Sequence, residues 1–121
     1  MAVKKCTIAN SPGAQDRTAL LVTWTGVTET DTFAPVSLPE YTNKSFQLTG
    51  TIGGATTVLK GSNDGTNYAG LQDAEGAAIS MGAAGLVQVL ENTQWYLPEA
   101  SGGTGQSLTV TMLFVRSTPP R

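Results

Sequence analysis

Apolar and polar positions alternate along much of this chain, most clearly over Ser45–Tyr68. Phe46, Leu48 and Ile52 recur on even positions with Gln47, Thr49 and Thr51 between them. That period of two predicts a half-buried strand. Gly53-Gly54 can supply the positive backbone angles of a two-residue hairpin turn. Folding there sets Ile52 opposite Ala55, Leu48 opposite Leu59 and Phe46 opposite Gly61. The large apolar side chains then share one face, and a slip of one residue would turn Leu59 outward. Asn63-Asp64-Gly65 supplies a second turn. The middle of the chain therefore reads as an antiparallel meander.

The same reading extends outward. Arg17–Thr25 is a strand with Leu20, Val22 and Trp24 on one face, ended by Gly26. Val27–Asn43 holds Phe33, Val36, Leu38 and Tyr41, but Pro35 and Pro39 exclude a helix or a central strand. It reads as an extended edge segment, with Val36–Leu38 pairing briefly. Tyr68–Leu71, Ala77–Met81, Leu86–Leu90 and Gln94–Leu97 are short strands, the last stopped by Pro98. Turns fall at Asp73–Gly76 and Gly82–Gly85, and Ser101–Gly105 is a flexible tip. Ser107–Val115 closes the fold, with Leu108, Val110, Met112 and Phe114 on its inner face. Before Arg17 the pattern is weak: Cys6 and Ile8 alternate with polar or small residues until Asn10-Ser11-Pro12-Gly13.

About eight short strands with turn signals about every 8–12 residues, and no helix, predict an all-β antiparallel sandwich. The expected form is a single-domain jelly-roll-like sandwich, with an immunoglobulin-like sandwich as the alternative. Residues 1–16 form an N-terminal arm or edge strand, 17–116 the domain and 117–121 a tail.

Composition narrows the chemistry. The 121 residues suit one domain. Charged residues are only 13% and the net charge is −2, so no basic stripe exists for nucleic acid. No run approaches a membrane span, and Met1–Lys5 lacks the apolar stretch of a signal peptide, which points to synthesis in a reducing cytoplasm. Histidine is absent and Cys6 is the single cysteine. A Ser–His–Asp triad, an intramolecular disulfide and a cysteine zinc site are thereby excluded. The glycine-rich stretches lack a P-loop Lys-Ser/Thr. Asn63, Asp64 and Asn67 offer oxygens to a cation, but their spacing is that of a turn rather than a calcium loop. No catalytic, cofactor or metal residue is expected. Trp24 and Trp95, with Tyr41, Tyr68 and Tyr96, would make a sugar-binding face only if exposed together.

The run Ser45–Thr51, then Gly53-Gly54-Ala55, then Lys60-Gly61-Ser62-Asn63-Asp64-Gly65, resembles small structural proteins of tailed bacteriophages, among them capsid decoration (cement) proteins. Val22-Thr23-Trp24, Asp31-Thr32, Pro35-Val36, Leu38-Pro39 and Ser101-Gly102-Gly103 are similar as well. The resemblance implies a non-catalytic virion protein on the capsid surface. Its partner would be the major capsid protein, and it would associate as a dimer or trimer. Its matched positions Gly50, Gly61, Ser62, Asp64 and Gly65 map to turns and strand ends and carry over no site, and the structural turns read from the residues are Gly53, Gly54, Asp64 and Gly65. The candidate partner interface is Val3, Cys6 and Ile8 of the arm with Phe33, Pro35, Val36, Leu38 and Tyr41 of the extended segment. A head-fibre or tail-associated subunit, and a carbohydrate-binding module, are the alternatives.

Overall fold

The computed structural model describes residues 3–10 and 19–116. The remainder of the N-terminal unit, the beginning of the Arg17 strand and the 117–121 tail lie outside the described residues. The strands are β1 (Val3–Lys4), β2 (Thr7–Asn10), β3 (Ala19–Val27), β4 (Thr32–Phe33), β5 (Asn43–Thr51), β6 (Thr56–Ser62), β7 (Ala69–Gly70), β8 (Ser80–Met81), β9 (Gly85–Val89), β10 (Trp95–Ser101) and β11 (Ser107–Val115). No helix is present among the described residues, so none is long and apolar enough to cross a membrane.

Alternation explains the long strands. Leu108, Val110, Met112 and Phe114 of β11 are fully buried, and so are Leu20, Val22 and Trp24 of β3 and Phe46 and Leu48 of β5. Their strands lie side by side in a five-stranded sheet ordered β2-β3-β11-β5-β9. The second sheet runs β10-β6-β7, with β8 also on β6, and contributes Leu59 and Tyr96 to the same core. Every pairing in these two sheets is antiparallel, while β1 and β4 form a small parallel pair.

The chain crosses repeatedly between the sheets. β3 lies in the first, Val36 bridges the edge of the second at Tyr96, β5 returns to the first and β6 goes to the second. β9, β10 and β11 alternate likewise. This wrapping makes the molecule an all-β antiparallel sandwich of jelly-roll type.

The first joint of the central meander is overturned, while the second stands, with β6 pairing antiparallel to β7 across the Asn63-Asp64-Gly65 turn. Gly53-Gly54 does reverse the chain, with φ of 63° and 83° and the Ala55 N–H donating to Ile52 O at 3.1 Å. The reversal is a corner between sheets, however. Leu48 pairs with Val110 in one sheet and Leu59 with Pro98 in the other, so the two leucines enter one core from opposite layers.

Two expected strand ends also moved. Gly26 does not end β3: with φ of 68° it sits in a bulge, where Val27 pairs with Leu108 but Trp24 with Val110. Pro98 does not stop β10. The Leu59 carbonyl accepts from Leu71 N, so Leu59 turns its polar groups away from β10. Pro98, opposite it, faces the outer edge, where its missing N–H breaks no ladder bond.

Candidate functional site

The β-register of the five-stranded sheet sorts its outward side chains into rows. One row reads Thr7, Thr23, Thr111, Gln47 and Leu86, and the next Ala9, Leu21, Leu113, Ser45 and Gln88. Further rows carry Thr109 with Thr49, and Val115 with Ala19 and Asn43. No Asp, Glu, Lys or Arg occupies an outward position in these rows. A shallow hollow in the face is lined by Asn43, Ser45, Gln88, Leu113 and Val115, with Lys44 beneath. Five strands of up to nine residues span about 20 Å by about 30 Å, or about 600 Å². That is close to the ~800 Å² per partner of a standard protein interface.

The candidate interface residues are distributed differently from expectation. Phe33, Val36 and Tyr41 are buried in the domain's own core. Phe33 packs edge-on against Trp24 with centroids 6.0 Å apart, and Tyr41 against Phe114 at 6.4 Å. These three are therefore withdrawn from a partner surface. Cys6 and Leu38 are half-buried against that core. Val3 (62% exposed), Ile8 (44% exposed) and Pro35 remain at the surface. The β1–β4 pairing, with Ala34 N donating to Lys4 O at 2.9 Å, sets Val3 beside Thr32, three residues before Pro35. Ile8 lies apart, opposite Val22 on the edge strand β2.

The Asp64 turn is saturated by its own chain. Asp64 Oδ1 accepts from Thr66 N and Asn67 N at 2.8 Å each and from the Ser62 hydroxyl at 2.8 Å, while Oδ2 accepts from Asn67 Nδ2 at 2.9 Å. The Asn67 and Thr66 amides, then the two side-chain donors, hold the carboxyl far below the usual carboxylate range. Gly65 lies against Trp95, with a Cβ there falling 3.2 Å from the indole nitrogen. Among the described residues no group of three His, Cys, Asp or Glu side chains is placed to hold a metal ion. Trp24 is fully buried and Trp95 half-buried. The pair does not form an exposed sugar platform.

Sequence reasoning missed Lys44, whose position on β5 has the same parity as Phe46 and Leu48. Its side chain is buried, donating to Thr42 O at 3.2 Å and to Asn92 Oδ1, with Nζ 5.4 Å from the centre of the Tyr96 ring. The inward parity of Lys44 was the available signal. Leu86 and Leu90, 63% and 50% exposed, were also missed. Val87 and Val89 fill the inward positions of β9, which leaves Leu86 on the outward rows.

No family model matches the chain, and no curated protein matches it. Among solved structures it is similar to the SPBc2 prophage-derived protein YomS, with a TM-score of 0.63 at 8% identity, covering 85% of this chain and 99% of that one. A cupin 2 domain-containing protein from Halorhodospira halophila aligns at TM-score 0.48 and 8% identity, over 96% of this chain and 67% of its own. The lysozyme inhibitor PliG of Aeromonas hydrophila aligns at 0.47 and 14%, over 95% and 98%. At these identities the likeness to the prophage-derived protein is one of fold.

Proposed function

We propose that this chain is a structural protein of a tailed-phage virion, a decoration (cement) protein that lies on the head surface and bridges capsid subunits. The observation that carries the reading is the uncharged outer face of the five-stranded sheet. The surface of a small domain normally carries charge at about a quarter to a third of its residues, with both signs interspersed. A face of interface size without it can be desolvated against a partner with little electrostatic cost. The partner is the major capsid protein, and the chain associates as a dimer or trimer that multiplies weak contacts into avidity. The jelly-roll sandwich shared with a prophage-derived protein supports the phage setting. In this role the protein turns over no external substrate and needs no cofactor, nucleic acid or membrane.

The test is addition of the purified chain to undecorated heads of the phage that encodes it, followed by co-sedimentation and electron microscopy. Density on the head shell is expected, lost in Thr111→Lys at the centre of the face. Density at the tail or on a head fibre would favour another virion subunit, and absence of binding to any particle would reject the reading. Deleting residues 1–16 is a poor probe, because it removes the edge strand β2 from the sheet.

A further inference from the structure

Lys44 is a buried amine that closes no ion pair. The ion pairs of the described residues, Lys4–Asp31, Lys60–Glu99 and Arg116–Glu40, do not include it. Its contacts are two carbonyl oxygens and an aromatic face. An ammonium held in this way is costly. One of its two oxygens belongs to the side-chain amide of Asn92, forty-eight residues along the chain. The reactive carbon of that amide is the atom to which the contacted oxygen is bonded.

We propose that Lys44 and Asn92 join spontaneously in an intramolecular amide, the lysine ε-nitrogen displacing the asparagine side-chain nitrogen as ammonia. The proposal is independent of the virion reading.

The chemistry balances without any co-reactant. The Lys44 ammonium gives a proton to a base, and the freed lone pair attacks Asn92 Cγ. A C–N bond forms, the C–O π pair moves onto oxygen, and the old C–N bond breaks as the carbonyl re-forms. The departing nitrogen collects protons from the attacking nitrogen and the base. The net change is an ammonium plus a primary amide giving a secondary amide plus an ammonium ion. Contact between amine and amide within one fold supplies the effective concentration that free side chains lack.

The surroundings favour each step. Burial pushes the Lys44 amine below its usual range, opposed by the charge of Glu91, so the neutral nucleophile is more accessible. Glu91, adjacent to Asn92, is the carboxylate whose charge bears on Lys44. Its Oε1 accepts from Gln72 N at 2.7 Å, which fixes its position. Held there, Glu91 is the base, acting through one water. Tyr96 walls the site; its hydroxyl accepts from Thr93 N at 3.0 Å. Asn92 itself is exposed, which gives ammonia a path out. Forming the amide also removes a buried charge, so the product suits the core better than the reactants.

Intact-mass spectrometry of the folded, full-length protein tests this. The expected mass lies one ammonia, about 17 Da, below that of the sequence. Tandem spectra should show the Lys44 and Asn92 peptides joined. Lys44→Met and Asn92→Ala should each restore the full mass, and Glu91→Gln, which keeps an acceptor for Gln72 N, should slow linkage at least tenfold. Full sequence mass in folded wild-type protein after days of incubation would overturn the proposal, whatever the variants do. A 17 Da deficit that survives in Lys44→Met would overturn it too, since it marks a cyclised asparagine instead. An unchanged rate in Glu91→Gln would overturn the role given to that carboxylate.

Discussion

Trp24 donates its indole N–H to the carbonyl oxygen of Ala34 at 2.9 Å, tying the middle of β3 to the segment just after β4. The ring is fully buried and meets Phe33 at an interplanar angle of 75°. Trp24→Phe keeps most of the apolar volume but orphans the Ala34 carbonyl and leaves a gap. We expect a loss of about 2 kcal/mol, read as a lower urea midpoint with an unchanged slope. The indole emission should be that of a buried ring, unmoved by added sugars; quenching of Trp24 by a glycan would revive the carbohydrate reading.

The two corner glycines make unequal demands. Both have positive φ, which costs another residue about 1–2 kcal/mol. A Cβ on Gly54 would meet only Gly103 Cα at 3.9 Å, whereas one on Gly53 would sit 2.5 Å from the Thr104 carbonyl oxygen. Gly54→Ala should therefore lose about 1–2 kcal/mol, and Gly53→Ala clearly more. Equal midpoints for the two variants in thermal unfolding would contradict this account of the corner.

Acid should spare the Asp64 turn longer than an ordinary loop. The folded carboxyl titrates below its unfolded value of ~3.9, so its contribution is fully present above that value. It is lost only as pH falls through the depressed folded value. Protection of the Thr66 and Asn67 amides against exchange should hold from pH 7 to about 4, and disappear in Asp64→Ala. A carboxyl resonance titrating in the usual range would refute it.

Cys6 should react slowly. Burial raises its thiol above the usual value, only partly offset by a backbone hydrogen bond, so the thiolate fraction at neutral pH is small. Alkylation by iodoacetamide should be several-fold slower in the native protein than in urea; equal rates would mean that β2 does not hold its place on the sheet.

Much of the fold was legible because it is written at short range. The inner faces of β3, β5 and β11 follow from alternation, and the turns at Gly53-Gly54 and Asp64-Gly65 from their residues. Pairing was not legible, because a tight reversal looks the same whether it joins two strands of one sheet or carries the chain to the next. The choice depends on β5 finding β11 and β9, contacts made far along the sequence. Gly50 marks the difference only afterwards: its φ is 97°, and a Cβ there would strike the backbone of Ser107 on β11.

The candidate site divides along the same line. Thr23, Gln47 and Thr111 each read as outward polar positions, but their alignment in one uncharged row is a product of register across three non-consecutive strands. The irregularity of their segment is what makes Phe33, Val36 and Tyr41 read as a partner surface. The core took them instead, as the space between two sheets can be filled from a loop as well as from a strand. Lys44 was overlooked because a lysine on a strand is ordinarily solvated.

The outer margin of β10 bears on how crowded copies behave. Val36 occupies both the N–H and the C=O of Tyr96, at 2.8 and 2.9 Å, and Pro98 has no hydrogen to offer. An incoming foreign segment thus finds little to template upon along this margin. Molecules massed shoulder to shoulder are thereby denied one place at which strands could add edge to edge.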